Sequence, residues 1–179
     1  MDGFTRSVTM IVELTPWSTD MKDELIRVKN AVKRGYPSGQ TPTPYTARDA
    51  DRCLKRVSEH EGHKGIFRAI VVDGEVVGDI SADRQDDMPA QEVEVGYGVV
   101  TDHRSKGIAT EATRQICDIV FRELDVVRIT AQVAAPNIAS MRVLEKNGFV
   151  RDGVIPNGTR MGGRIHDRHN FYKLKPAAS

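Results

Sequence analysis

Three features that mark other classes of protein are missing from this sequence. No apolar run approaches the roughly 18 residues that a membrane-spanning helix requires. The beginning of the chain lacks the basic and apolar regions of a secretion signal. The net charge is only +1, which argues against a nucleic-acid partner bound through its phosphates. We therefore expect a cytoplasmic protein that binds neither a membrane nor nucleic acid.

Cysteine is scarce, and clustered metal ligands are missing. Cys53 and Cys117 lie in helix-like segments without ligand neighbours, which predicts two reduced, packed thiols. His60 and His63 flank Glu61 in a turn, but no second group of ligands accompanies them. The sequence therefore predicts neither a disulfide nor a metal site.

What is present is typical of one globular domain. The chain has 179 residues, of which 39% are hydrophobic and 28% charged, so it can bury a substantial core. We find no repeat and no linker, and predict a single α/β domain over residues 1–179. Hydrophobic periodicity predicts strands at 8–14, 66–72, 75–81, 92–100, 126–134, 149–155 and 169–174, and helices at 18–34, 46–60, 107–124 and from 137 onward. Long loops are expected at 36–45 and between the last two strands.

The most informative stretch is the loop between the strand at 92–100 and the next helix. A strand, a tight turn and a helix start gather unpaired backbone N–H groups and the positive end of the helix dipole in one small volume. A glycine allows a ligand to approach the backbone closely. This arrangement suits a diphosphate, although ordinary turn chemistry would give the same pattern. The candidate contacts are Arg104, Ser105, Lys106, Gly107, Ile108, Ala109 and Thr110.

Further motifs join this loop in a recognisable order. Glu94-Val-Gly-Tyr-Gly-Val99 precedes it, Asn137 and Ser140 open a later helix, and Asn147-Gly-Phe149 closes that helix. Together these motifs, over residues 92–150, resemble the GNAT acetyltransferase superfamily, and within it most closely the ribosomal-protein N-acetyltransferase (RimJ/RimL-like) branch. The resemblance implies a mixed, mostly antiparallel sheet flanked by helices, with one parallel pair of strands splayed apart by a bulge.

The resemblance also implies acetyl-CoA as the cosubstrate. The backbone around Val99 and Val100 would contact the oxyanion and the pantetheine arm, and the loop would hold the pyrophosphate. Asn137 matches the family's pantetheine ligand, and Ser140 contacts the CoA sulfur in the RimL-like branch. Asn137 is equally a good helix cap, and Ser140 could simply belong to the first helical turn.

Acetyl transfer to an amine further requires a group that accepts the ammonium proton. Glu94 is the first candidate, because it lies four residues before the expected separation of the strands; the alternative is an ordinary solvated strand residue. Gln132 occupies the place where related enzymes often carry a second carboxylate, and it cannot act as a base. Leu144 replaces the tyrosine that often serves as the acid, which leaves Ser140 as the nearest substitute.

We therefore predict an N-acetyltransferase whose acceptor is a primary amine, with a peptide or protein N-terminus as the first candidate. A small amine, such as an aminoglycoside or a polyamine, is the second candidate acceptor. A non-catalytic acyl-CoA sensor would need the same loop but no proton-transfer group. A homodimer is left open. Adjacent His166 and Asp167 resemble a dyad, but neighbouring strand residues point to opposite faces, so a hairpin surface is the preferred interpretation.

Overall fold

The computed structural model describes residues 9–32, 41–86 and 89–177. Within these ranges, no helix is long and apolar enough to cross a bilayer. The strands are β1 (Val12–Pro16), β2 (Gly65–Val72), β3 (Glu75–Asp83), β4 (Glu92–Val99), β5 (Arg128–Ala134), β6 (Val150–Met161) and β7 (Arg164–Leu174). The helices are α1 (Lys22–Ala31), α2 (Ala47–His60), α3 (Ile108–Glu123) and α4 (Ile138–Lys146), with short 3₁₀ turns at Thr19–Met21 and Thr101–His103.

The strands form one sheet in the order β1-β2-β3-β4-β5-β7-β6. Every described pair is antiparallel except β4–β5. This confirms the predicted mixed, mostly antiparallel sheet with one parallel pair at its centre.

Helices cover both faces of the sheet. A Cβ added to Gly98 would lie 3.1 Å from the side chain of Val32, which follows α1. The preceding strand residue, Tyr97, points to the other face and forms a hydrogen bond with Ser140 on α4. Since α3 packs with α4 and α1 packs with α2, the two pairs of helices lie on opposite faces. Side chains of α1 and α2 and side chains of α3 and α4 can thus approach β4 from opposite faces of the sheet.

α3 and the strands beneath it form the centre of the core. Ala112, Ile116 and Val120 are fully buried, as the sequence predicts, whereas Ala109 is only partly buried. Both cysteines are free thiols, and burial raises the pKa of Cys117 to about 11, so this thiol stays protonated at neutral pH.

Local signals place several elements correctly. Thr46 begins α2 with a capping box, in which its side chain accepts from the Asp49 N–H and the Asp49 carboxylate accepts from the Thr46 N–H. Asp73 and Gly74 have φ angles of 50° and 81°, which suit the two central positions of a tight hairpin turn. The β2–β3 hairpin is therefore confirmed, with β3 running two residues further than predicted, to Asp83.

The predictions for the beginning of the chain are partly wrong. β1 begins at Val12 and ends with Pro16, instead of spanning 8–14 and stopping before the proline. An edge strand tolerates proline because no neighbour needs its missing N–H. α1 ends at Ala31, short of the predicted residue 34. Half of the loop expected at 36–45, residues 36–40, lies outside the described residues, and residues 41–45 form no helix or strand.

The final hairpin differs most from expectation. β6 and β7 extend to Met161 and Arg164, so the glycine-rich loop expected between two short strands is strand for most of its length. Gly162 and Gly163, with φ angles of 55° and 76°, make the turn. The proline and glycines of β6 suggested a loop, but β6 is an edge strand and accommodates them through a shift in register between Ile155 and Thr159.

Candidate active site

The two parallel strands at the centre of the sheet separate part-way along their length. They pair only from Glu92 to Glu94 on β4 and from Arg128 to Thr130 on β5, although β4 continues to Val99. The predicted separation is present, but it begins at Glu94 itself and not four residues later. A gap therefore opens between the carboxyl-terminal halves of β4 and β5, directly beside Glu94.

The predicted bulge in β4 is wrong. The β3–β4 pairing runs without a shift from Gly78–Val99 to Asp83–Glu94. β5 likewise stays paired with β7 along its whole length. The sheet instead opens at its parallel pair, which is held by fewer hydrogen bonds than either antiparallel neighbour.

Backbone groups of β4 point into this gap. The Val100 N–H donates to Val77 O at 2.8 Å. Bonded and non-bonded positions alternate along an antiparallel strand, so the N–H and C=O of Val99 point the other way, toward β5. Arg104 Nε donates to Val99 O at 3.2 Å, which leaves the Val99 N–H directed at the gap. The Val99 N–H is thus available for the predicted backbone contact. The Val100 N–H is not, because it already donates to β3, so this group cannot make the contact predicted for Val100.

The loop before α3 has an unusual backbone. Ser105 and Gly107 have φ angles of 60° and 79°, and left-handed residues in such turns arrange N–H groups around a concavity. A Cβ on Gly107 would meet no protein atom within 4 Å, so this side of the loop faces open space. The side chains of Arg104 and Lys106 are exposed and add positive charge.

The first turn of α3 supplies three more backbone donors. The Glu111 N–H donates to Gly107 O at 3.0 Å, so the N–H groups of Ile108, Ala109 and Thr110 have no partner within the helix. Gly107 at the N-cap carries no side chain that could accept from them. The positive end of the helix dipole points the same way. The loop and α3 therefore form a cradle suited to an anion such as a diphosphate.

Glu94 lies beside the gap, on the sheet face that carries α1 and α2. Its Oε2 accepts a hydrogen bond from Gln132 Nε2 at 3.2 Å, which joins the two strands where they begin to diverge. Glu94 and Gln85 line two adjoining cavities, of about 340 and 430 Å³. Gln132, which cannot act as a base, thus contacts and orients the carboxylate that could.

The first cavity, between β3, β4 and helices α1 and α2, is rich in charge. Lys29 pairs with Asp79, and Arg56 pairs with Asp83. His60 Nδ1 also lies 2.8 Å from Asp83. Among the described residues, Asp79 Oδ1 is buried without a hydrogen-bond partner. Both aspartates of this cavity are therefore paired with cations, and one buried oxygen of Asp79 accepts no hydrogen bond from the described residues.

Ser140 lies on the other face of the sheet, in the first turn of α4. Its N–H donates to Asn137 Oδ1 at 3.3 Å, so Asn137 caps α4 and the Ser140 hydroxyl does not. Ser140 Oγ instead lies 2.8 Å from the phenol oxygen of Tyr97 on β4. A hydroxyl and the positive end of a helix are thus brought together beside β4, where they could stabilise a negative charge.

Sequence reasoning missed Tyr97. Strand alternation assigned it to the apolar face of β4, and the structure does half-bury its ring. Burial also raises the pKa of Tyr97 to about 12. A phenol among valines needs a hydrogen-bond partner when buried, which was the available signal, but only the position of α4 identifies Ser140 as that partner. Leu144, at the place of the family's tyrosine, is 1% exposed and belongs to the core.

The remaining candidates are structural. Asp167 Oδ1 accepts from the Asn157 N–H at 2.9 Å, and His166 pairs with Thr159 across the hairpin, so this pair lies on a hairpin surface as preferred. His63 Nδ1 lies 3.2 Å from Glu61 O. Nowhere in the described parts of the chain do three His, Cys, Asp or Glu side chains form a group that could hold a metal ion.

A central sheet that opens between two parallel strands, beside an anion cradle, defines the acetyltransferase fold, and solved structures share it. RimL, a ribosomal-protein alpha-N-acetyltransferase solved with coenzyme A, matches over 91% of this chain and 93% of its own, with a TM-score of 0.79 and 15% identity. Spermidine N-acetyltransferase from Vibrio cholerae, solved with coenzyme A and spermine, matches over 92% and 95%, with a TM-score of 0.74 and 18% identity. Identities this low establish the fold alone.

Sequence similarity establishes the family. The family model described as the acetyltransferase (GNAT) domain matches residues 12–150. YjcK of Bacillus subtilis, named a probable N-acetyltransferase, is 35% identical over 130 residues, which are 68% of this chain and 71% of the relative. The chain belongs to the GNAT acetyltransferase family. It is an acetyl-CoA-dependent N-acetyltransferase, and the cradle before α3 fits the diphosphate of that cosubstrate.

Proposed function

We propose that the protein acetylates the N-terminal amine of a peptide or protein, as the RimJ/RimL-like branch does. The observation that carries the proposal is the pair of cavities that meet at Glu94 and Gln85. A groove that extends on both sides of the base gives room for residues beyond the reacting amine. RimL, whose fold is shared, is named as an alpha-N-acetyltransferase of a ribosomal protein.

The cofactor side of the site follows from the geometry of the loop. The N–H groups from Ser105 to Thr110 hold the diphosphate, with Arg104 and Lys106 adding charge. Val99 and Asn137 hold the pantetheine arm from β4 and α4. Acetyl-CoA supplies an acetyl group that its thioester already activates, so positioning is most of what the protein contributes.

Glu94 acts on the acceptor amine, and Ser140 acts on the sulfur of the leaving thiol. Glu94 accepts the proton of the acceptor ammonium, directly or through water, which frees the nitrogen lone pair for attack on the thioester carbon. The Val99 N–H donates to the oxyanion. Ser140 donates a hydrogen bond to the sulfur as the carbon–sulfur bond breaks and the carbon–nitrogen bond forms. Glu94 and Ser140 lie on opposite faces of β4, which matches an amine and a thiol that approach from opposite sides.

A polyamine is the second candidate acceptor, and one observation favours it. The first cavity contains Asp79 and Asp83, and Asp79 Oδ1 has no hydrogen-bond partner in the described part of the structure. These carboxylates already pair with Lys29 and Arg56, so the second ammonium group of a polycation would share them with these side chains.

An acceptor panel distinguishes these functions. We expect release of free thiol from acetyl-CoA with peptides that carry a free N-terminus, and none with the same peptides blocked at that end. Faster release with spermidine than with any peptide would identify a polyamine acceptor. A protein that binds CoA in calorimetry but turns over none of these amines would be the acyl-CoA sensor.

Replacing Ser140 with alanine should lower kcat roughly fivefold to tenfold and leave KM for acetyl-CoA nearly unchanged. The hydroxyl acts mainly in the transition state, so its loss affects turnover more than binding. The melting temperature should not fall, because Asn137 caps the helix. Ser58, whose exposed hydroxyl donates to Lys55 O on α2, offers the matched Ser58→Ala control. Full kcat in a folded Ser140→Ala variant would leave water as the partner of the sulfur.

A further inference from the structure

Tyr97 lies at the gap but has no part in the proposed chemistry so far. It follows Glu94 by three residues on β4, which places it about 10 Å further along the strand, at roughly 3.3 Å per residue, and on the opposite face. Its phenol oxygen lies 2.8 Å from Ser140 Oγ and 3.2 Å from Ser140 O. The single proton of the phenol can therefore be donated either to Ser140 O or, over the shorter distance, to Ser140 Oγ.

The direction of this hydrogen bond decides what Ser140 can do. If the Ser140 hydroxyl donates to the phenol, its only proton is used and cannot reach the sulfur. If the phenol donates to Ser140 Oγ, the hydroxyl proton is available to another acceptor. In the first arrangement the phenol donates to Ser140 O. Near a developing thiolate the second arrangement is favoured, because only then does the sulfur receive a hydrogen bond from Ser140 while the phenol donates over its shorter contact.

The low acidity of the phenol favours a role as hydrogen-bond donor over one as acid. Burial raises the pKa of Tyr97 to about 12, whereas an ordinary thiol has a pKa of about 8.5. A thiolate is thus a weaker base than the phenolate, and the phenol stays protonated at neutral pH. It remains a hydrogen-bond donor throughout the reaction.

We propose that Tyr97 is a positioning residue, which donates a hydrogen bond to Ser140 Oγ and so directs the Ser140 hydroxyl proton at the CoA sulfur. The inference rests on the proposed function of Ser140. It explains how the site works with Leu144 in place of the family's tyrosine: a phenol from β4 acts through a hydroxyl on α4, and no phenol on α4 is needed.

The test measures the thiol of bound CoA by its thiolate absorbance in a pH titration. In the wild-type protein, the Ser140 hydroxyl should hold the apparent pKa of this thiol below its value in free CoA. Tyr97→Phe removes only the phenol oxygen, and should raise that pKa by about one unit and lower kcat about fivefold, at unchanged KM for acetyl-CoA. Ser140→Ala should raise the thiol pKa at least as much.

A double variant separates positioning from packing. If Tyr97 acts through Ser140, Tyr97→Phe should have no further effect on kcat or on the thiol pKa in a Ser140→Ala background. Thr113→Val, which removes a buried hydroxyl of α3 outside the site, should change neither quantity. Melting temperatures show that each variant is folded.

Two results would overturn the inference while leaving the proposed function intact. One is the same thiol pKa in the wild-type protein and a folded Tyr97→Phe variant. The other is a double variant slower than Ser140→Ala by the full factor of Tyr97→Phe, which would show that the ring acts independently of the hydroxyl. A wild-type protein that neither binds CoA nor acetylates an amine would overturn the proposed function as well.

Discussion

Replacing Glu94 with glutamine is expected to lower kcat by roughly 10²-fold at neutral pH, with the affinity for acetyl-CoA unchanged. Glutamine keeps the size of the side chain and the contact with Gln132, which is 3.2 Å away, but it cannot accept a proton. Steady-state kinetics with a saturating acceptor, together with calorimetry for the cosubstrate, measures both quantities.

The pH dependence makes this prediction more specific. Wild-type activity should fall at acid pH as the Glu94 carboxylate becomes protonated and loses its ability to accept. In its pH–rate profile, the glutamine variant should lack this fall in activity. It should keep only the pH dependence that ionisation of the acceptor amine causes. Glu13→Gln, on β1 at the far edge of the sheet, is a matched strand carboxylate and should behave as wild type. Wild-type turnover by Glu94→Gln would make Glu94 an ordinary surface residue.

Replacing Gly107 with valine is expected to weaken acetyl-CoA binding by more than tenfold. The φ angle of 79° at Gly107 suits glycine, and a branched side chain would strain the turn that aims the N–H groups of α3. The added carbons would also occupy the open space in front of the cradle, where the diphosphate is expected. Calorimetry with acetyl-CoA measures the loss.

Gly74 provides the control for backbone strain. It has a φ angle of 81° and open space around its missing Cβ, but it lies in the β2–β3 turn. Gly74→Val should therefore destabilise the fold to a similar extent and leave the affinity for acetyl-CoA unchanged. If the two variants bind acetyl-CoA equally well, the cradle is not the diphosphate site.

The elements with strong local signals were predictable from sequence. A capping box fixes the start of α2 at Thr46, and Asp73-Gly74 fixes the first hairpin. The cradle before α3 was predictable because it needs only local features. These are a left-handed residue, here Gly107, and a helix start without a side-chain cap. The prolines in β1 and β6 led to wrong strand bounds. A strand accepts a proline only where no neighbouring strand needs its N–H, and the sequence does not show which strands lie at the edge of the sheet.

The sequence by itself determined the order of the elements, the turn before α3 and the choice of Glu94, Asn137 and Ser140 as candidate site residues. Tertiary structure alone decided which of them share a face and what each contacts. Gln132 reaches Glu94 from 38 residues away, and Ser140 reaches Tyr97 from 43 residues away. Contacts at such separations depend on how β5 and α4 pack against β4, and neither strand alternation nor helix periodicity contains that information.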